Sequence, residues 1–250
     1  MGTKAGVGVS YHRNPAVAGQ EAAEMALKNG GIDIPDFVFM FATVGYNQPT
    51  LLNAVREATH NVPLSGCSGE GIITQSEADE SNFSIAVMAI CSNDIQFHNG
   101  ISTGLAKDST AVGDAAAAAI QPVLREDAVG LFVFPDALTT DFDGFKAGLE
   151  EALVFDRFLP ILGGAASENR QFKQTYQYFN DQVVSDGVAW VLFSGRMKVV
   201  WGINHGCTPI GAERMITRCE GNVIYEIDGT PALEVLKEYM TADKINDWSQ

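Results

Sequence analysis

Pro63-Leu64-Ser65-Gly66-Cys67-Ser68-Gly69-Glu70-Gly71 carries a hydrophobic approach into a turn of small residues, one thiol and one carboxylate. About one hundred residues later, Leu159-Pro160-Ile161-Leu162-Gly163-Gly164-Ala165-Ala166-Ser167-Glu168 returns to the same pattern. Each reads as a strand end running into a small-residue turn. Glycine there permits positive φ, or the close approach of a ligand or another strand.

The segments on either side recur in a matching order. Residues 5–10 alternate as a first strand, and Asn14-Pro15 then reads as an N-cap followed by a first helical residue. The alanine-rich helix that follows stops at Asn29-Gly30-Gly31. Phe37-Val38-Phe39-Met40-Phe41-Ala42 is continuously apolar, as a strand buried on both faces requires. A helix from near Pro49, with Leu51, Leu52 and Val55 on one face, precedes the return at Pro63. Phe83–Ile90 and Ile95–Ile101 then read as two strands joined around Ser92-Asn93-Asp94.

In the second pass, Ser109 or Thr110 caps a helix that reaches Ile120, and Ala128–Phe134 answers the earlier buried strand. Thr139 or Thr140 caps a helix carrying Phe145, Leu149 and Leu153, which leads into Phe158–Gly163. Gly187–Phe193 and Lys198–Ile203 answer the final strand pair. Residues 172–183 form an aromatic insertion that alternates as a short strand. The expected architecture is α/β, with internally duplicated βαβαβββ-like halves of roughly ninety-five residues. The halves form layered mixed sheets over residues 1–104 and 105–211. Residues 212–250 add a strand pair, around Glu220-Gly221, and a helix that Asp228-Gly229-Thr230-Pro231 starts and that runs to Tyr239. Gly6, Gly8 and their neighbours do not make a dinucleotide fingerprint.

Sixteen basic against thirty-one acidic residues give a net charge of -15, a field that repels phosphate backbones and anionic membranes. No nucleic-acid or membrane partner is expected. The start lacks the long apolar segment of a secretory signal, and no apolar run approaches the roughly 18 to 20 residues that span a bilayer. The expected location is cytoplasmic. The four cysteines, Cys67, Cys91, Cys207 and Cys219, form no CxxC pair, as suits a reduced protein. His12, His60, His98 and His205 are too scattered for a local metal motif. Neither a cofactor nor a metal is expected.

Gly66-Cys67-Ser68-Gly69-Glu70, Gly163-Gly164-Ala165-Ala166, His205-Gly206-Cys207-Thr208-Pro209-Ile210-Gly211 and the run from Glu220 to Ala232 together resemble the N-terminal portion of FIST-domain proteins. The resemblance covers nearly the whole chain and implies a duplicated N-terminal module followed by the opening of the family's C-terminal region. It also implies intracellular sensing of a small ligand, with amino acids among the suggested ligands, and coupling to a signalling partner. It assigns no individual ligand-binding residue.

The residues themselves nominate Arg13, Cys67, Ser68, Glu70, Gly163, Gly164, Glu168, His205 and Arg218 as ligand-binding candidates. Arg13 and Arg218 suit a ligand carboxylate, through paired guanidinium hydrogen bonds. Glu70 and Glu168 suit an amine, and His205 suits a polar group near neutrality. Trp201, Tyr176 and Tyr178 supply a pocket wall. Each also has a plainer role in packing, turn closure or surface ion pairing. The working expectation is a sensory module that takes a small polar metabolite between its halves. One alternative is cysteine-dependent hydrolase or transferase chemistry with Cys67 as nucleophile and His205 as base. Another is a scaffold that binds a protein through an exposed apolar edge or the C-terminal helix.

Overall fold

The computed structural model describes residues 2–203, 206–221 and 223–240. It divides into two compact units, residues 1–200 and 201–250. The first unit begins with β1 (Lys4–Ser10), α1 (Pro15–Gly30), β2 (Phe37–Thr43), α2 (Gln48–Ala58) and β3 (Leu64–Gly69). A small hairpin, β4 (Ile72–Ile73) and β5 (Ala78–Asp79), leads to β6 (Ile85–Cys91). The chain then runs through β7 (Ile95–Thr103), α3 (Ser109–Ile120), β8 (Ala128–Pro135), α4 (Phe142–Ala152) and β9 (Ile161–Gly163). A second hairpin, β10 (Gln177–Phe179) and β11 (Gln182–Val184), precedes β12 (Gly187–Gly195).

Two sheets result, ordered β1-β6-β2-β3-β10-β11 and β7-β12-β8-β9. Within the first four strands of each, the order of corresponding strands is the same. Parallel pairing likewise falls at matching places, β2 with β3 and β8 with β9. Helices α1 and α2 bury Ala18, Ala22, Leu51 and Val55 against Val38, Met40 and Leu64 of the first sheet. Helices α3 and α4 do the same with Val112, Ala116, Phe145 and Leu149 against Leu131 and Val133. The other faces of the sheets meet in an aromatic layer containing Phe37, Phe39, Phe134 and Phe193. There the Phe132 and Phe193 rings lie 4.8 Å apart. Strand β2 is apolar throughout because its alternate side chains enter both layers, Val38 and Met40 toward the helices and Phe37 and Phe39 toward the other sheet.

The helix signals act locally as expected in α1. Asn14 accepts from the Ala16 and Val17 amides, and Gly31 closes the helix at φ 56°. In α3 and α4 the capping residue is instead Asp108 and Asp141. Two of the nearby hydroxyls bond elsewhere. Ser109 Oγ donates to the Leu105 carbonyl at 3.0 Å, and Thr140 Oγ1 donates to the Asp136 carbonyl at 2.5 Å.

Two strand expectations are corrected. Residues 198–203 form no strand, so the last strand of the second sheet in the chain is β12. Strand β7, read as the end of the first repeat, opens the second sheet by pairing antiparallel with β12. The turn between β6 and β7 carries the chain from one sheet to the other. Its Ser92 hydroxyl accepts from the Asp94 and Ile95 amides, and Phe97 then stacks on Phe37 across the layers at 5.0 Å.

The second unit contains β13 (Ile216–Glu220), β14 (Val223–Ile227), the two-residue β15 (Thr230–Pro231) and α5 (Ala232–Lys237). The first two strands pair antiparallel, as expected around Glu220-Gly221. Asn222, which follows that turn in the sequence, lies outside the described residues. Helix α5 stops two residues short of Tyr239. Among the described residues no helix is long and apolar enough to cross a membrane.

Candidate functional site

The stretches of residues 63–71 and 159–168 meet in space. Pro63 and Pro160 occupy matching register, their carbonyls accepting from Val38 at 3.0 Å and from Leu131 at 2.9 Å. Gly66 lies opposite Met40, and Gly163 opposite Val133. Their φ values are 152° and 145°. A Cβ on either would fall 1.8 Å from the Met40 oxygen or 1.9 Å from the Val133 oxygen. Glycine is therefore required at both places by the same close approach of neighbouring backbone.

Beyond these glycines the turns brace each other. Ser68 Oγ donates to the Ser167 carbonyl at 2.9 Å and accepts from the Tyr176 amide at 2.9 Å. The Ser167 amide donates to the Ser68 carbonyl at 3.1 Å. Ser167 Oγ accepts from the Glu70 amide at 2.9 Å. Arg170 Nε donates to Glu70 Oε1 at 2.6 Å, in an ion pair whose side chains are 81% and 42% exposed.

A cleft of about 280 Å³ opens where these turns meet, with Phe41, Cys67, Ser68, Ile72, Phe134 and Gly164 among its lining. Its walls are largely apolar, and Gly69 and Gly71 bring Glu70 to its edge. A larger cleft of about 470 Å³ adjoins it through Gly164 and Ala165, on the helix side of β9.

Of the nominated residues, Cys67, Ser68 and Gly164 line the smaller cleft, Gly163 and Gly164 line the larger, and Glu70 stands between two lining glycines. Cys67 is only 6% exposed, and burial pushes its thiol up to about 12. The nucleophilic thiolate is thus disfavoured near neutrality. Glu168, nominated to meet an amine, is instead buried. Its two carboxylate oxygens accept from the Gln171 and Phe172 amides at 2.7 and 2.8 Å, tying down the loop that carries Arg170. Arg13 does not line the cleft; its guanidinium lies 5.8 Å over the Phe83 ring. Arg218 belongs to the second unit, where it pairs with Glu226 at 3.0 Å and covers Tyr225 at 4.6 Å. His205 lies outside the described residues. Tyr178 is wholly buried, and its hydroxyl donates to Gln48 at 2.7 Å. Trp201 is exposed and falls in the second unit.

Sequence reasoning missed Arg170, Ser167, Phe41 and Phe134. Ser167 carried a usable signal, since it stands in the second turn as Ser68 nearly does in the first. Arg170 carried none, because its pairing with Glu70 bridges one hundred residues. Among the described residues no group of three His, Cys, Asp or Glu side chains is placed to hold a metal ion.

Curated relatives are distant. The chain is 26% identical over 239 residues to an uncharacterized protein of Methanocaldococcus jannaschii, covering 91% of this chain and 45% of the relative. It is also 26% identical over 242 residues to an uncharacterized protein of Mycobacterium tuberculosis, covering 93% of this chain and 58% of that protein. The chain therefore spans about half the length of these relatives. Among solved structures, cyanuric acid hydrolase from A. caulinodans aligns at a TM-score of 0.38 with 9% identity, over 78% of this chain and 72% of that one. The FIST N domain family model matches residues 36–230, across the braced turns and both sheets. The chain belongs to the FIST N domain family, a family generally associated with sensing in signal transduction.

Proposed function

We propose that this chain is a sensory module that takes a small metabolite in the cleft between the braced turns, with amino acids as the favoured class. One observation carries the reading: an exposed carboxylate–guanidinium pair, Glu70 with Arg170, stands at the edge of an apolar cleft. An amino acid has a complementary form. Its side chain would pack among Phe41, Phe134 and Ile72, while its ammonium met Glu70 and its carboxylate met Arg170. Arg suits this task because its planar fork can bind a carboxylate through two hydrogen bonds. An exposed ion pair holds its partners weakly, so exchanging them for a ligand costs little. A ligand there would alter the Glu70–Arg170 connection between the two turns, which supplies a route to a signalling partner.

Isothermal titration of the purified chain against the proteinogenic amino acids and small amines and carboxylates tests this reading. At least one should give a saturable heat, weakened about tenfold or more by Glu70→Gln and by Arg170→Gln. No saturable binding at millimolar concentration, or binding indifferent to both substitutions, would reject it.

A further inference from the structure

The outer edges of β3 and β9 differ, although the strands occupy matching places in their sheets. The edge of β3 is covered by β10, which runs antiparallel with Tyr178 opposite Gly66. Flanking backbone bonds complete the ladder: the Ser68 amide donates to Tyr176 at 2.8 Å, and the Asn180 amide donates to Leu64 at 3.0 Å. The Tyr178 ring enters the helix-side core beside Met40 and Leu64. Its hydroxyl reaches Gln48, the first residue of α2.

No strand covers β9 among the described residues. Pro160 and Ala166 direct their backbone bonds to β8 and its continuation. Strand alternation therefore turns the amide groups of Ile161, Gly163 and Ala165 outward, as those of Leu64, Gly66 and Ser68 turn toward β10. Gly163 and Ala165 are exposed. Where Tyr178 fills the helix side of β3, the helix side of β9 has the cleft of about 470 Å³, bounded by Val133, Ile161, Gly163, Thr140 and Phe142. Phe142 is the first residue of α4, the place that Gln48 holds in α2. The other small hairpin of the first unit, β4–β5, does not cover this edge. Its Ile72 is buried, and its turn residue Glu77 accepts from the Tyr11 hydroxyl at 2.7 Å.

We propose that the β9 edge and this cleft form a docking site for an extended peptide segment of a partner protein. The segment adds antiparallel to β9 and places an aromatic side chain opposite Gly163. Backbone bonds supply the pairing and the ring pocket supplies selectivity, as in strand-addition recognition generally. The chain's own β10 names the occupant's chemistry, and the exchange of Gln48 for Phe142 refines it. With no amide to receive a hydroxyl at that place, phenylalanine should suit the cleft at least as well as tyrosine. The proposal is independent of the metabolite reading.

The test uses the full chain, isotopically labelled, titrated with a synthetic peptide copying residues 174–185. Amide shifts and hydrogen exchange are read residue by residue. Saturable binding with new protection at Gly163 and Ala165 is the expected result. In the peptide, Tyr178→Ala should weaken binding about tenfold or more, and Tyr178→Phe should not weaken it. In the chain, the half-exposed Phe142→Ala should weaken it similarly with an unchanged unfolding midpoint. Absence of saturable binding by both the Tyr and Phe peptides at millimolar concentration would overturn the proposal. So would changes confined to β3, which would mean displacement of β10. Protection of the β9 edge by concentration-dependent dimerisation without peptide would assign the edge to a second copy and overturn the partner assignment.

Discussion

Ser68 and Ser167 exchange two hydrogen bonds, Ser68 Oγ to the Ser167 carbonyl at 2.9 Å and the Ser167 amide to the Ser68 carbonyl at 3.1 Å. They lie 99 residues apart. Ser68 Oγ also accepts from the Tyr176 amide, so one buried hydroxyl connects both turns to the segment entering β10.

Ser68→Ala should destabilise the protein by about 1–3 kcal/mol, because it removes two bonds and leaves the Tyr176 amide without its acceptor. Ser76→Ala, on the exposed β4–β5 turn, should stay within about 0.5 kcal/mol of the parent. Urea unfolding of the two variants provides the comparison. Equal midpoints would remove Ser68 from the brace.

Gly66→Ala and Gly163→Ala should both destabilise, and Gly66→Ala more. The added methyl meets a neighbouring carbonyl oxygen at under 2 Å in either case. β3, however, is held between β2 and β10, while among the described residues β9 has a strand partner on one side only. An edge strand can shift to relieve the contact. Costs of about 2–4 kcal/mol at Gly66 and about 1–2 kcal/mol at Gly163 follow from strain and overpacking. The reverse ranking in thermal or urea unfolding would contradict this account.

Cys67 should resist alkylation by iodoacetamide at pH 8, while exposed Cys219 reacts readily. Burial raises the Cys67 thiol to about 12 in the folded protein, from an ordinary 9.0. The native state therefore holds that proton more tightly than the unfolded chain. The associated stability is complete below about pH 9 and is lost as pH rises toward 12. Mass spectrometry of peptides after timed labelling gives the measurement. Equal labelling of Cys67 and Cys219 in the folded protein would show an open, reactive thiol.

Much of the first unit was legible because its signals act over short distances. Asn14 caps α1 through amides two and three residues away. The uninterrupted apolar run of β2 required cover on both faces, and the small residues at Gly66 and Gly163 marked close backbone approach. The candidate site was less legible. Cys67, Ser68 and Gly164 were nominated and line the smaller cleft, and nominated Glu70 lies between two of its lining glycines. Glu168 as a loop anchor and Arg170 as the partner of Glu70 were not foreseen. A carboxylate reads the same in sequence whether it faces solvent or two buried amides.

The amino-acid sequence by itself determined the mixed α/β class, the main helix stops and the glycine-bearing strand ends, since backbone sterics, capping and side-chain periodicity need only near neighbours. Tertiary structure decided that β7 joins the second sheet, and that β10 covers β3 while no strand covers β9 among the described residues. It also decided that Cys67 is largely buried where the layer between sheets borders the smaller cleft. Those outcomes depend on which distant apolar faces bury each other and which backbone groups remain to be paired. Ser68 and Ser167 acquire their joint role only when the chain has brought both turns to the same place.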